Sequence, residues 1–209
     1  MASYQVASPI VRICIFKIAR AAQDSSLAIV KVTQALKGKL SSKEPSDWQL
    51  RRASVAVVLR EHGVPSVLLI RRANRADDPW SGQVAFPGGK VREGDKTLSE
   101  TAIRETREEV GVDLSKHGDF LGYFTPFLTH TGSMEVYPAV FVLKEDTTVR
   151  RNGEVASYRW VPLDKLTAEQ SRSTYGVDMG GQFREVPALC VNGYVVWGLT
   201  YRIVTELFG

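Results

Sequence analysis

Two runs of β-branched and aliphatic residues, ASVAVVLR at 53–60 and VPSVLLIRR at 64–72, do most to limit how this chain can fold. Each has strand length and composition, and the EHG between them, with Gly63, is a hairpin signal. Further strand-like runs follow at GQVAF (82–86), FLGYFTPFL (120–128), EVYPAVFVL (135–143) and VASYRWVPL (155–163). Among them lies one strongly helical stretch, Leu98 to Val110. Thr97 or Ser99 can cap it, Ala102, Ile103, Thr106 and Val110 form its inner face, and Gly111 ends it. YVVWGLTYRIVTELF (194–208) reads as a closing amphipathic helix. Strands outnumber helices, and the helices fall between strand groups. The expected class is α/β (α+β), a mixed β-sheet packed between helices.

Residues 1–46 have a different texture and are expected to form an N-terminal helical extension and linker to a main domain at 47–209. In SSLAIVKVTQALKGKL, Leu27, Val30, Ala35 and Leu36 lie near helical spacing, Ser25 or Ser26 is a candidate N-cap, and Gly38 a stop. The extension either packs on the main domain or supports a homodimer contact, and the chemistry is not expected to need it. PIVRICIFKIA (9–19) is broken by Arg12 and Lys17 and falls short of the ~18 residues of a spanning helix, so no membrane partner is expected. Cys14 and Cys190 sit among apolar neighbours, and buried reduced thiols would suit the cytoplasm. His62, His117 and His130 lack zinc-ligand spacing. A net charge of +4 suits a polyanionic small molecule, but no basic–aromatic stripe points to nucleic acid.

RETREEVG (104–111) places Glu105, Glu108 and Glu109 at helical spacings where like charges repel by roughly 0.2–0.5 kcal/mol per pair. A divalent cation would hold them together, and oxygen-only carboxylates suit Mg2+ or Mn2+. Arg104 can reach Glu108 and Glu100. Just upstream, FPGGKVREGD (86–95) offers a Gly–Gly loop that a phosphate or cation could approach closely.

The segment GGKVREGDKTLSETAIRETREEVGV, Gly88 to Val112, resembles the signature box of the Nudix hydrolases. Arg104, Glu105, Glu108, Glu109, Gly111 and Val112 match its second half. Asp95 stands where a glutamate is usual, and the loop is one residue longer. The resemblance implies a Nudix-type α/β/α sandwich and metal-dependent hydrolysis of a pyrophosphate bond in a nucleoside diphosphate derivative. SGQVAFPGG (81–89) and VVWGLTYRI (195–203), with Leu68, Leu69, Arg72, Ala73 and Gly82, are similar to the coenzyme A diphosphohydrolase subgroup. Ile70, Asp78 and the spacing to Gly82 depart from it.

By this resemblance Glu105 and Glu109 are metal ligands, Glu108 is a ligand or the water-activating base, and Arg104 orients the glutamates. Gly88 lends a backbone carbonyl, and Glu154 is the first candidate for a catalytic acid from a later loop, with Glu135 second. Substrate contacts are expected from Arg72, Gly88, Gly89 and Phe86, with Trp80 as a second aromatic surface. Strand alternation sends Arg71 and Arg72 to opposite faces, so at most one of them faces the cleft. The competing reading is a non-catalytic module of the same fold that senses a nucleotide or RNA. The intact glutamate trio favours the enzyme.

Overall fold

The computed structural model describes residues 25–44, 51–61, 64–76, 78–178 and 181–209. Cys14, the 9–19 run and the EHG turn residues His62 and Gly63 lie outside them. In chain order the elements are α1 (Ser25–Lys37), β1 (Arg51–Arg60), β2 (Ser66–Arg72), β3 (Val84–Ala85), β4 (Gly88–Lys90), α2 (Leu98–Val110) and α3 (Leu114–His117). Then come β5 (Gly118–Tyr123), β6 (Phe127–Leu128), β7 (Met134–Leu143), β8 (Val155–Pro162), α4 (Leu163–Leu166), β9 (Arg172–Asp178), β10 (Phe183–Val191), β11 (Tyr194–Trp197) and α5 (Gly198–Phe208).

The central sheet runs β3-β2-β1-β7-β5, with β4 also on β1, β6 on β7 and β8 on β2. β1 and β7 pair in parallel from Arg51–Met134 to Leu59–Val142, while the other pairings are antiparallel, so the sheet is mixed. β1 is buried on both faces, which explains its nearly continuous apolar run. Val57 and Leu59 pack with Ile29, Val32 and Leu36 of α1 and Ile203 and Leu207 of α5. Ala56 and Val58 pack on the other face with Leu98, Ala102 and Val110 of α2. The result is the expected sandwich, with α2 on one side of the sheet and α1 and α5 on the other.

Several details differ from the sequence reading. Tyr194–Trp197 is a strand paired with β10, and the closing helix begins only at Gly198, whose φ of 63° turns the chain out of the ladder. β9 and β10 were not anticipated. They form a second sheet with β11, and their largely exposed residues carry no clean alternation. In α1 the buried stripe is Ala28, Ile29, Val32 and Leu36, and Val30 is 47% exposed. Cys190 is exposed and unpaired, not buried, because alternation along β10 turns Leu189 and Val191 inward and Cys190 outward. Among the described residues no helix is long and apolar enough to cross a membrane.

Candidate active site

α2 presents the glutamates and begins in a fully satisfied first turn. Thr97 Oγ1 accepts from the Glu100 amide at 3.1 Å, and Gly111 ends the helix in the left-handed region. Glu105 and Glu109, one turn apart, point toward strand β4 and are 6% and 2% exposed, although both are carboxylates. Glu108 lies about 100° further round the helix from Glu109 and is exposed. The expected three-carboxylate cluster is therefore divided into a buried pair and an outer member.

Gly88 and Gly89 lie in strand β4 paired with β1, not in the loop expected from the sequence, and this strand explains how two glutamates can be buried. The Gly88 amide donates to Glu109 Oε2 at 3.0 Å, so what Gly88 offers this site is its N–H. A Cβ on Gly88 would fall 2.6 Å from Val55 Cα, and one on Gly89 would fall 2.6 Å from the Glu105 carboxylate. The two glycines let this strand lie against both β1 and α2.

Arginines balance the remaining charge. Arg104 bonds Asp95 through Nε at 2.9 Å and Nη2 at 2.8 Å, Glu105 Oε1 at 2.6 Å and the Lys90 carbonyl at 3.1 Å. It also comes within 3.5 Å of Glu108, as expected from the i, i+4 spacing. Its other expected partner, Glu100, instead accepts from the Lys96 amide, and Asp95 takes that place because its loop folds back over the helix. Arg92 bridges the divided trio, 3.2 Å from Glu108 and 3.5 Å from Glu105. Arg72 lies 2.8 Å from Asp78 and 3.8 Å from Glu109, while Arg71 turns away to stack on Tyr194, as alternation requires. Glu154 meets Arg75 at 3.4 Å. Glu135 is engaged by Arg52 and the Tyr137 hydroxyl.

Burial drives the Glu109 carboxyl up to about 8, reinforced by Glu105 and Glu154 and only partly opposed by the Gly88 amide and Arg72. Asp95 moves the other way, to about 2, chiefly through its hydrogen bonds from Arg104. The same pairing raises Arg104 above its ordinary value. Arg104 is thus a fixed positive post between Asp95 and Glu105.

Part of this constellation lines a cleft of about 560 Å³, while Arg104, Asp95 and Glu108 lie outside its lining. Arg72, Glu105, Glu109, Glu154 and the two glycines line it together with Trp80, Met134, Val136 and Leu199. Phe86 lines its floor but is 3% exposed and belongs to the core, whereas Trp80 is 44% exposed. Among the described residues no three acidic, histidine or cysteine side chains converge as a ready metal cage, since each glutamate already has an arginine or amide partner. In type, the donors fit a hard divalent cation: carboxylate oxygens, one pair of them withdrawn from water beside an open cleft.

A sequence profile of the NUDIX domain matches residues 49–176. The chain belongs to the Nudix hydrolase family. Its Nudix relatives include NudL of Pectobacterium atrosepticum, 34% identical over 161 residues that span 76% of this chain and 82% of the relative. Another is the mitochondrial Nudix hydrolase 15 of Arabidopsis thaliana, 30% identical over 78% of this chain but only 59% of the plant protein. The Nudix fold recurs in solved structures of a MutT/nudix family protein from Enterococcus faecalis and of DR0079 from Deinococcus radiodurans. The TM-score is 0.50 for each, at 18% and 19% identity, with 98% and 78% of this chain covered and 74% and 89% of theirs.

Proposed function

We propose that this chain hydrolyses the pyrophosphate bond of a nucleoside diphosphate derivative, coenzyme A-like, ADP-ribose-like or dinucleotide, with Mg2+ or Mn2+ as cofactor. The observation that carries this reading is the buried pair Glu105 and Glu109, held against Gly88 and Gly89 of β4 in a cleft that Arg72 also lines. A helix serving packing alone gains nothing from two carboxylates withdrawn from water. Nudix membership supplies the class of bond, and the matches at Leu68, Leu69, Arg72, Ala73 and Gly82 favour the coenzyme A-like member of that class.

Glu105 and Glu109, with Glu108 beside them, are the residues that would hold the cation. Bound there, a divalent cation neutralises phosphate charge and lowers the pKa of a coordinated water. Arg104, fixed by Asp95, keeps Glu105 in place. Arg72 exchanges its Asp78 contact for a phosphate oxygen, to which a guanidinium offers two parallel donors. Glu154, facing the cleft and paired with the exposed Arg75, accepts the proton of the attacking water, and Glu108 is the alternative base. In-line attack on one phosphorus breaks the bridging P–O bond and leaves two phosphate-bearing products. Trp80 offers an exposed ring on which a base can stack. The exposed, unpaired Cys190 suits a reducing compartment such as the cytoplasm.

The test is incubation with Mg2+ and a panel of nucleotide conjugates, with products identified by mass. Cleavage into two phosphate-bearing fragments supports the proposal and names the substrate. Tight binding of one compound without turnover of any would overturn it in favour of a sensor.

A further inference from the structure

The two amides that open α2 are satisfied from outside the helix and its cap. Leu98 N donates to Glu44 Oε2 at 3.2 Å, and Ser99 N donates to the Tyr123 hydroxyl at 2.8 Å. The same hydroxyl donates to Glu44 Oε1. Glu44 is 54 residues away from Leu98 in sequence, on the segment after α1. We propose that Glu44 is a positioning residue for the reaction: with Tyr123 it fixes the first turn of α2, and through it the Glu105 and Glu109 carboxylates. The inference rests on α2 carrying the reacting groups, as proposed above.

The segment that delivers Glu44 is itself anchored at both ends of its course. Lys39 Nζ donates to the carbonyls of Leu207 and Glu206, at 3.0 and 3.3 Å, closing the end of α5. Ser41 and Tyr123 exchange backbone hydrogen bonds at 2.9 and 2.7 Å, which brings Glu44 level with the Tyr123 ring. α1 behind it is held by Ile29, Val32 and Leu36 in the core. Residues 39–44 therefore form a strap from the terminal helix, whose start supplies Leu199 and Thr200 to the cleft, to the site helix on the opposite face of the sheet. A carboxylate at a helix N-terminus meets both the unpaired amides and the positive end of the helix dipole. Without it, Leu98 and Ser99 lose fixed partners and the first turn frays. Asp95 contacts Thr101 and Arg104 in the next turns, so fraying reaches the post that orients Glu105.

Four full-length proteins test this: the parent, Glu44→Gln, Tyr123→Phe and the double variant, with Lys43→Gln as a neighbouring control. Amide exchange in metal-free protein is read at Leu98 and Ser99 against β1, Mn2+ affinity is read directly, and kcat and KM are measured on whichever conjugate the parent cleaves. The expected result is exchange at Leu98 and Ser99 faster by about tenfold with β1 unchanged. Mn2+ binding should weaken several-fold, kcat should fall by about tenfold with KM little altered, and the double variant should be no worse than the more severe single one. Unchanged exchange at the two amides, kcat preserved in both single variants, or losses that multiply in the double variant would each overturn it. If the parent cleaves nothing, yet exchange and Mn2+ affinity shift together, the hydrolase reading fails and what stands is that Glu44 positions the metal-binding carboxylates.

Discussion

Replacing Glu109 with Gln separates what this residue does for the fold from what it does for the reaction. From sequence, the cost of the glutamate trio is mutual repulsion along the helix, roughly 0.2–0.5 kcal/mol per pair. The structure identifies a larger cost. Glu109 is 2% exposed, and its carboxyl is pushed up to about 8, first by burial. With the folded-state value above the unfolded one, the fold keeps its full stability at low pH, where the carboxyl is neutral. It loses stability progressively as pH rises from about 4.5 through about 8. At ~1.4 kcal/mol per pH unit, the penalty in metal-free protein is ~1 kcal/mol at pH 5, ~3 at pH 7 and ~5 at pH 9. Gln has nearly the same shape, its side-chain oxygen can accept from the Gly88 amide, and Arg72 keeps Asp78. Glu109→Gln should therefore be more stable than the parent in chelator, with a melting-temperature gain that grows from pH 5 to pH 9 and reaches several degrees at neutral pH. Its hydrolysis in Mg2+ should fall by orders of magnitude, since a lost ligand displaces the cation and its water. Paired melting curves at three pH values and initial rates provide the check, with Glu206→Gln, an exposed carboxylate on α5, as control. A gain independent of pH would refute the burial argument, and near-parental rates would refute the ligand assignment.

Asp95→Asn should destabilise the protein by ~2 kcal/mol at neutral pH, because the folded carboxyl lies near 2 through its bonds from Arg104. That contribution is present above about 3.8 and is lost as pH falls through about 2, so denaturant midpoints of variant and parent should converge in acid. Chelator should abolish hydrolysis and Ca2+ should restore it poorly, its looser shell placing water less well; undiminished rates in excess chelator would contradict this. Gly89→Ala sets a methyl 2.6 Å from the Glu105 carboxylate and should lower kcat at least tenfold while changing the melting temperature much less, because the side chain can yield but the ligand geometry cannot.

What could be read from the sequence was whatever follows from local spacing. β1 and β2 are legible because a strand buried on both faces has to be apolar at nearly every position, and α2 because Thr97, Gly111 and its apolar stripe agree. The split between Arg71 and Arg72 follows from strand alternation alone. The terminal helix was misplaced by four residues because YVVW satisfies both a strand and an amphipathic stripe, and only pairing with β10 decides between them. β9 and β10 escaped because β9 buries no residue and β10 buries only its last few, so neither carries an apolar periodicity. At the site, three glutamates in one motif suggest three equal ligands, yet a helix turns about 100° per residue, so Glu105 and Glu109 are buried together and Glu108 is left outside. Asp95, a departure from the family box when read as a string, is the residue that pins Arg104. Nothing near Glu44 in the chain distinguishes it from a solvated acid, because its partners come from another stretch of sequence. The chemistry-bearing residues were legible because they must lie at fixed helical spacing. The residues that hold that helix in place were not, because position in space, rather than position in sequence, is what they have to satisfy.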